Sequence, residues 1–424
     1  METYAKILLY AMPAFLTLIL LEMWYGRWKG HHTVRSMDML SSISSGITNV
    51  TKDVLGLSLV LISYGWLISN LAVFHVDSGF WTYFIAFMAL DFAGYWVHRI
   101  AHKTNFFWNS HIIHHSSEYF NLACALRQSI ANFVKVFTVF LLPAALMGVP
   151  VQVIAVVAPL HLFAQFWYHT QHINRMGWLE YILVTPSHHR VHHAINPQYI
   201  DKNFAQIFIF WDKLFGTFQE ELIDEKPVYG ITVPVRTWNP IKINFQHMGL
   251  LIKDCWRTRS WKDKLRIWLM PTGWRPDDVK DKYPILKIED LHQYQKYDTP
   301  VGTLLSTWIW VQFSILLLLI AYLFGNIASI GSPHIFLYGI FIFMQVYAYS
   351  ELMDRNPRAW IYELLKNVWC LYLLWLSPDW FGAGAMVQWI PAFLAFYFIV
   401  SGGITFLFSR DQIAASPVLK AMGQ

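Results

Sequence analysis

Long apolar runs separated by polar stretches are the feature that most constrains how this chain can fold. A helix needs roughly 20 apolar residues to cross the hydrocarbon core of a bilayer, and about nine runs near that size occur along the 424 residues. Hydrophobic residues make up 55% of the chain and charged residues only 14%, which is not the balance of a soluble protein. The pattern predicts an all-α integral membrane protein with about nine transmembrane helices.

The apolar runs fall into two sets on either side of a long polar stretch. This divides the chain into an N-terminal membrane block (1–184), a polar segment (185–300) and a C-terminal membrane block (301–424). One lysine precedes the first run and no small-residue cleavage site follows it, which favours a retained span over a cleaved signal peptide. The predicted spans are 5–25, 54–74, 79–95, 130–147, 151–167, 301–323, 335–349, 361–376 and 387–408.

Basic residues between the runs predict the orientation. If GRWKGHHTVR after the first span is cytosolic, alternation also places the polar segment, the loop around Arg355 and the C-terminal tail in the cytosol, as the positive-inside rule requires. The formal net charge of +5 is too small to indicate nucleic-acid binding and suits an anionic membrane surface. We therefore expect a cytosolic cap, in the endoplasmic reticulum of a eukaryote or the cytoplasmic membrane of a bacterium.

Histidine clusters recur at the cytosolic ends of the predicted spans. HRIAH follows the third span, HIIHH begins nine residues after His102, HTQH lies at the exit of the fifth span, and SHHRVHHA opens the polar segment. Spacings of three and four place imidazoles on one helical face. Burying several unpaired imidazoles is costly, so the repeated spacing predicts a metal centre at the membrane boundary. The isolated His75, His247, His292 and His334 are more typical of interfacial anchors.

The number of imidazoles bears on the kind of metal centre. A zinc site uses three or four protein ligands, whereas eight or more candidate imidazoles are enough for two ions. Imidazole suits iron, zinc and copper alike, so ligand chemistry alone leaves the metal open. A dinuclear site beside a bilayer is most simply an oxygen-activating iron site that acts on a lipid.

The residues around the boxes resemble the fatty acid hydroxylase and sterol desaturase superfamily of membrane di-iron enzymes, and within it the alkylglycerol monooxygenase family. The resemblance covers nearly the whole chain. The stretches that carry it are DFAGYWVHRIAH, HHSSEYFNLACALRQS, AQFWYHT, TPSHHRVHHAINPQYIDKN and FWDKLFGTFQEE, with SSISSGI, VYGIT and DRNPRAWIYELL outside the boxes.

The resemblance implies a monooxygenase that cleaves the ether bond of alkylglycerol-type lipids with two iron ions, dioxygen and tetrahydrobiopterin. Oxygen is inserted at the carbon next to the ether oxygen, and the hemiacetal that results falls apart to a fatty aldehyde and glycerol. Matched position by position, the implied metal ligands are His98, His102, His111, His114, His115, His169, His189, His192 and His193.

Four positions near the boxes have a less definite assignment. The family pattern has Glu where this chain has Lys103 and Gln171, and both departures concern the pterin more than the iron. His188 precedes the last box and is either a ligand or a donor to one. His172 stands where an aliphatic residue is expected, so we interpret it as an extra histidine that is not a ligand.

An imidazole that binds a metal is neutral and is oriented by a partner on its other nitrogen. Glu118 and Asn121 are the first candidates for such an orienting partner because they follow the second box closely, and Asp91 and Asp201 are weaker candidates. Each of these residues could equally cap a helix or lie on the surface.

Two other functions remain open on the sequence. A sterol desaturase or lipid hydroxylase would share the boxes and draw electrons from a separate protein, since no haem or flavin motif is visible in the chain. A metal transporter would need ligands near the bilayer midplane, whereas these boxes lie at one edge. In each of the enzymatic hypotheses, the reductant or the pterin is supplied from outside this chain.

Overall fold

The computed structural model describes residues 2–60, 62–132, 134–135 and 137–415. These residues are mainly helical, and one short parallel pair joins β1 (Leu59–Val60) to β2 (Val134–Lys135). The α-helices are α1 (Glu2–Trp28), α2 (Ser36–Val54), α3 (Tyr64–Leu71), α4 (Phe80–Lys103), α5 (Asn105–Trp108), α6 (Ile112–His115), α7 (Leu142–Leu146), α8 (Val151–Phe163), α9 (Pro186–His192), α10 (Phe210–Leu214), α11 (Pro240–Arg257), α12 (Trp261–Arg266), α13 (Asp277–Lys280), α14 (Thr303–Gly325), α15 (Ile327–Ile330), α16 (His334–Met353), α17 (Ala359–Leu376), α18 (Ala383–Met386) and α19 (Ile390–Ala415).

Five helices in the described ranges are long and apolar enough to cross a membrane, namely α1, α4, α14, α16 and α19. They coincide with the first, third, sixth, seventh and ninth predicted runs. The prediction of a helical membrane protein is therefore confirmed in outline. The count of nine membrane helices is not confirmed, because the other four runs take different forms.

Three of those runs form short or interrupted helices instead of one long helix each. In 54–74, α2 gives way to a turn in which Gly56 has φ +69°, and α3 then starts afresh because Ser63 caps it by accepting from the Trp66 amide. In 130–147, a 3₁₀ turn (Phe137–Leu141) precedes the short α7. In 151–167, α8 has only 13 residues. Leu61, Phe133 and Val136, within the first two of these runs, lie outside the described residues.

The run 361–376 forms α17, which is long but carries charge. Glu363 and Lys366 are fully buried and joined by a 2.7 Å ion pair. These two charged residues lower the mean hydropathy of the helix. Its C-terminal end leads to Phe381, whose carbonyl accepts from Tyr322 near the end of α14. Because α17 packs along both α16 and α19, it runs through the same layer as the apolar spans.

Two apolar cores organise the helices. The larger core joins α1 and α2 to α14, α16, α17 and α19, and a smaller one joins α3, α4, α7 and α8. The first span thus packs with the C-terminal helices as well as with α2, its neighbour in the chain.

One end of the bundle gathers the polar connections. Near the end of α1, Glu22 accepts from the Leu122 amide at 2.7 Å and from the Thr170 hydroxyl at 2.6 Å. Just after α16, Asp354 accepts from the Trp238 amide at 2.6 Å. The C-terminal ends of α1, α4 and α16 therefore share one face with the segment between α8 and α14. The histidine boxes lie at this face.

Candidate metal centre

The first box is built on the last turns of α4. His98 and His102 are four residues apart, so both imidazoles leave the same side of the helix. The chain then turns at Asn105, whose side chain donates to the carbonyls of Ile267 and Trp274 at 3.0 Å each. This clamp places α6, with the second box, back against the end of α4.

The last box is carried by α9, a short helix with strong N-terminal signals. Thr185 is the N-cap and Pro186 occupies the first turn, where its missing N–H costs nothing. His188 completes a capping box with Thr185. His189 and His192 therefore project from a helix that starts at a defined residue.

Nine imidazoles gather into two groups. Within each group, one nitrogen of every ring lies within 4.8 Å of the corresponding nitrogen of every other ring. All nine residues predicted as ligands are in these groups, and His188 and His172 are in neither. Group one is His98, His102, His111, His115 and His192, and group two is His114, His169, His189 and His193.

The ring nitrogens of group one converge closely. His98 Nε2 is 2.9 Å from His111 Nε2, His115 Nε2 is 3.0 Å from His111 Nε2, and His102 Nε2 is 3.1 Å from His115 Nε2. His192 Nε2 is buried in the same group and has no hydrogen-bond partner. A buried nitrogen without a partner, beside several lone pairs that point the same way, fits a cation.

Group two has the same geometry with four rings. His189 Nε2 lies 2.9 Å from His169 Nε2 and 3.0 Å from His193 Nε2, and His169 Nε2 lies 3.4 Å from His114 Nε2. The two groups adjoin, since the rings of His115 and His193 stack with centroids 4.3 Å apart. The residues present therefore fit a pair of neighbouring ions.

Backbone carbonyls orient three of the rings from behind. The Nδ1 atoms of His98, His192 and His169 lie 2.7, 2.9 and 3.0 Å from the carbonyl oxygens of Phe204, Lys202 and Gln165. A proton on Nδ1 then leaves Nε2 free to bind a metal. The partners predicted from the sequence were acidic or amide side chains, and these acceptors were missed because a backbone carbonyl has no residue-specific signature.

Burial also sets the charge of the imidazoles outside the membrane helices. It lowers the pKa of His169 to about 3. It lowers the pKa values of His189 and His193 well below their ordinary value, and neighbouring imidazoles add to the shift. These rings are therefore neutral near pH 7, the form that binds metal.

Aromatic side chains close one side of group two. The Phe120 ring lies 5.2 Å from that of His193 and 5.1 Å from that of Tyr229, and Tyr168 lies 4.4 Å from His189, all between ring centroids. This wall keeps water from that side of the imidazoles. The sequence held no signal for it beyond a general richness in aromatic residues.

Glu118 and Asn121, the candidate partners that follow the second box, contact other parts of the protein. The Glu118 carboxylate accepts from the Tyr297 amide, and burial raises its pKa. Asn121 donates to the Thr33 carbonyl at 2.9 Å and caps the next turn. Among the described residues, neither side chain is hydrogen-bonded to an imidazole of the two groups.

The other two acidic candidates do contact histidines. An Asp201 oxygen lies 3.7 Å from His102 Nδ1, and the same carboxylate pairs with Lys103 at 2.7 Å. Asp91 is fully buried and lies 2.9 Å from Nε2 of His161 on α8, which belongs to neither group. Ionisable residues within apolar runs are uncommon and usually paired. The presence of Asp91 and His161 in two such runs could therefore have predicted this pair, which the sequence analysis did not propose.

The histidines outside the groups have other partners. His188 Nδ1 lies 3.4 Å from the Thr185 amide, and its ring packs near Phe218. His172 Nε2 is 3.1 Å from the Thr33 hydroxyl. His188 therefore acts as a helix cap, and His172 fastens the segment after α1.

Membrane-length helices and two groups of mostly buried imidazoles at one end of the bundle define a candidate metal centre of the histidine-box class. The family model described as Fatty acid hydroxylase matches residues 83–217, which hold all nine imidazoles. Over most of its length, the chain is also similar to proteins that share a more specific name, alkylglycerol monooxygenase. It belongs to the alkylglycerol monooxygenase family.

The relatives that establish this membership cover most of both chains. Alkylglycerol monooxygenase of Homo sapiens is 38% identical over 377 residues, which is 86% of this chain and 81% of the human protein. The Xenopus tropicalis protein of the same name is 36% identical over 369 residues, or 86% of this chain and 80% of its own. Ornithine lipid hydroxylase OlsE of Rhizobium tropici is 28% identical over 142 residues, 34% of this chain and 43% of OlsE. No solved structure matches the chain.

Proposed function

We propose that this protein is a membrane monooxygenase that cleaves the ether bond of alkylglycerol-type lipids with dioxygen and releases a fatty aldehyde. The observation that carries the proposal is the gathering of nine imidazoles, seven of them buried, into two adjoining groups at one end of a membrane bundle. Membership of the alkylglycerol monooxygenase family supplies the substrate class. A transport role is disfavoured because the groups lie at the edge of the bundle rather than across its middle.

We propose two iron ions, one in each histidine group. Group one offers five imidazoles and group two offers four, and all nine are the ligands implied by the resemblance. Bound iron would supply the activation of dioxygen. The protein's own part is to hold neutral imidazoles, to fix three of them through backbone carbonyls, and to exclude water with the wall of Phe120, Tyr168 and Tyr229.

The pterin is a separate part of the proposal. Tetrahydrobiopterin is implied by the resemblance, and the departures from the family pattern at Lys103 and Gln171 concern its binding. Lys103 is paired with Asp201, and the Gln171 side chain donates to the Phe120 carbonyl at 2.8 Å. We assign no residue to the pterin, and reduction by an external electron donor is the alternative.

We also propose that the metal centre faces the cytosol and that residues 185–300 form a cap between the membrane blocks 1–184 and 301–424. The basic residues of the sequence support this side through the positive-inside rule. In this arrangement the broken segments α3, α7 and α8 enter the membrane as well, and α17 crosses it, so that nine apolar runs still lie within the bilayer. The endoplasmic reticulum is the compartment expected in a eukaryote.

The test is product analysis with a labelled substrate. Membranes that contain the protein are incubated with 1-O-[¹⁴C]hexadecylglycerol, with and without tetrahydrobiopterin, beside membranes that contain His193→Ala. We expect labelled hexadecanal only with the unchanged protein. A hydroxylated or unsaturated lipid with the ether intact would instead favour a lipid hydroxylase or desaturase, and aldehyde formation without pterin would favour an external electron donor.

A further inference from the structure

An exposed face of α11 and α12 combines large apolar and basic side chains. Trp256, Trp261 and Leu265 expose 86%, 77% and 76% of their surface. We call this surface the amphipathic face. Its apolar members are Ile252, Trp256, Trp261, Leu265 and Leu269, and its exposed basic members are Lys253, Arg257, Arg259 and Lys262.

The ends of α11 show how this face is oriented. At its start, the Asn239 side chain donates to Glu351 in the last turn of α16 at 2.8 Å. Further along, α11 packs against α6, which follows shortly after the end of α4. Because α4 and α16 end at the same face of the bundle, α11 lies across that face. It therefore runs along the membrane surface rather than through the membrane.

The opposite side of α11 is occupied by protein. Ile243, Asn244 and Leu251 are buried, and Asn244 accepts from the Ser129 hydroxyl and the Ile130 amide at 3.0 Å each. α11 also packs on α6, the helix that carries His114 and His115. The amphipathic face therefore lies on the side of α11 opposite these contacts with the rest of the protein.

The charge of the face favours an anionic occupant. Residues 252–269 contain six basic side chains and two acidic ones. Both acidic side chains are already paired, Asp254 with Arg275 and Asp263 with Arg266. Exposed Trp and Leu beside Lys and Arg are typical of a helix that lies in a membrane interface, and anionic headgroups attract such basic residues.

We propose that the amphipathic face is a lipid-binding surface that inserts its Trp and Leu side chains into the headgroup layer and contacts anionic lipid. This surface is distinct from the metal centre and from the five spans. It would fix the height of the cap above the bilayer, because residues 267 and 274 accept from Asn105, between the first and second histidine boxes.

The test measures membrane contact in the full-length protein in nanodiscs, without using turnover. Single cysteines at positions 256 and 265 carry an NBD fluorophore in a Cys255→Ser background, because Cys255 is the only cysteine that is not buried. Position 223, which is 88% exposed among acidic residues of the same cap, is the control. The bilayers contain phosphatidylcholine brominated in its acyl chains, with or without phosphatidylserine.

We expect bromolipid quenching several-fold stronger at 256 and 265 than at 223. The quenching should increase with phosphatidylserine and decrease in high salt, which screens exposed charge. The triple variant Lys253→Glu, Arg259→Glu, Lys262→Glu should lose the dependence on phosphatidylserine. Positions 256 and 265 are exposed, so replacing their side chains with labelled cysteines leaves the core intact.

Quenching at 256 and 265 no stronger than at 223 would overturn the proposal, and so would quenching that is independent of phosphatidylserine. Labels that are shielded from aqueous iodide but unquenched by bromolipid would also overturn it, in favour of a protein partner. None of these results depends on ether cleavage, so failure here is distinguishable from failure of the proposed function.

Discussion

Residues next to each other in SHHRVHHA have different tasks. His189 and His193 place Nε2 atoms 3.0 Å apart in group two, whereas His188 turns back to cap its own helix. The position of each ring around α9 decides its role, because the side chains of consecutive residues in a helix point in different directions. A count of histidines alone does not separate ligand from cap.

This difference predicts contrasting metal contents. We expect His193→Ala to lose at least one of two bound ions, with a larger loss of affinity than the roughly 10- to 100-fold typical of an outer partner. His172→Ala should keep both ions, because that ring contacts Thr33 and lies outside both groups. Elemental analysis of the purified variants measures this. Equal metal loss in both variants would contradict the assignment.

Asp354 gives a pH-dependent prediction outside the metal centre. Burial raises its pKa from 3.8 to about 6, so the folded protein holds a proton there that the unfolded chain releases. The contribution of protonated Asp354 to the stability of the folded state is fully present below pH 3.8 and is lost as the pH rises through 6. From about pH 7.5 to about pH 5, the wild type should gain about 1 kcal/mol relative to Asp354→Asn.

Thermal unfolding of the two proteins in the same detergent at both pH values measures that gain. The Asn variant keeps the shape of the side chain and cannot ionise, so it serves as the reference at each pH. A difference in Tm that does not change with pH would show that the carboxyl group does not titrate in this range.

At the scale of elements, α17 shows how a charged helix is accommodated in a membrane bundle. Glu363 and Lys366 are one turn apart and pair inside the interface with α16 and α19. Lys366 Nζ also lies 5.4 Å from the centre of the Tyr397 ring. Mutual pairing removes the need to expose either charge to lipid.

We therefore expect Lys366→Met to lower the free energy of unfolding by about 3 to 5 kcal/mol, because it leaves a buried carboxylate unpaired. The double variant Glu363→Gln, Lys366→Met should recover most of that loss. SDS titration of the purified proteins compares them. If the double variant is as unstable as the single one, packing rather than charge explains the effect.

At the scale of the whole molecule, the bundle has two different ends. One end holds the histidine groups and the polar segment, and the other holds the loop after α17, where Met386 is 69% exposed. Since five helices of membrane length separate these ends, they should lie on opposite sides of a bilayer.

Cysteine labelling tests this arrangement. Cysteines placed at Ile223 and Met386, one per protein in a Cys255→Ser background, should react with a membrane-impermeant maleimide from opposite sides of sealed vesicles. Ile223 should react from the cytosolic side. Labelling of both positions from one side would contradict the topology, and labelling of Ile223 only from the outside would reverse the orientation.

The sequence by itself determined the class of this protein, a membrane protein with clustered histidines. Apolar runs as long as a bilayer is thick predicted the membrane class, and helical spacing of histidines predicted a metal centre. The family resemblance implied the nine imidazoles that the structure brings together. These features are local, since a run or an i, i+4 spacing is complete within a few turns.

Only the tertiary structure decided how the nine rings divide into groups of five and four, since group one takes His192 from α9 and group two takes His114 from α6. It also placed carbonyls rather than Glu118 or Asn121 behind the rings, and it paired β1 with β2, which come from the runs 54–74 and 130–147. These outcomes depend on contacts between segments far apart in the chain, and neither hydropathy nor local spacing records such contacts.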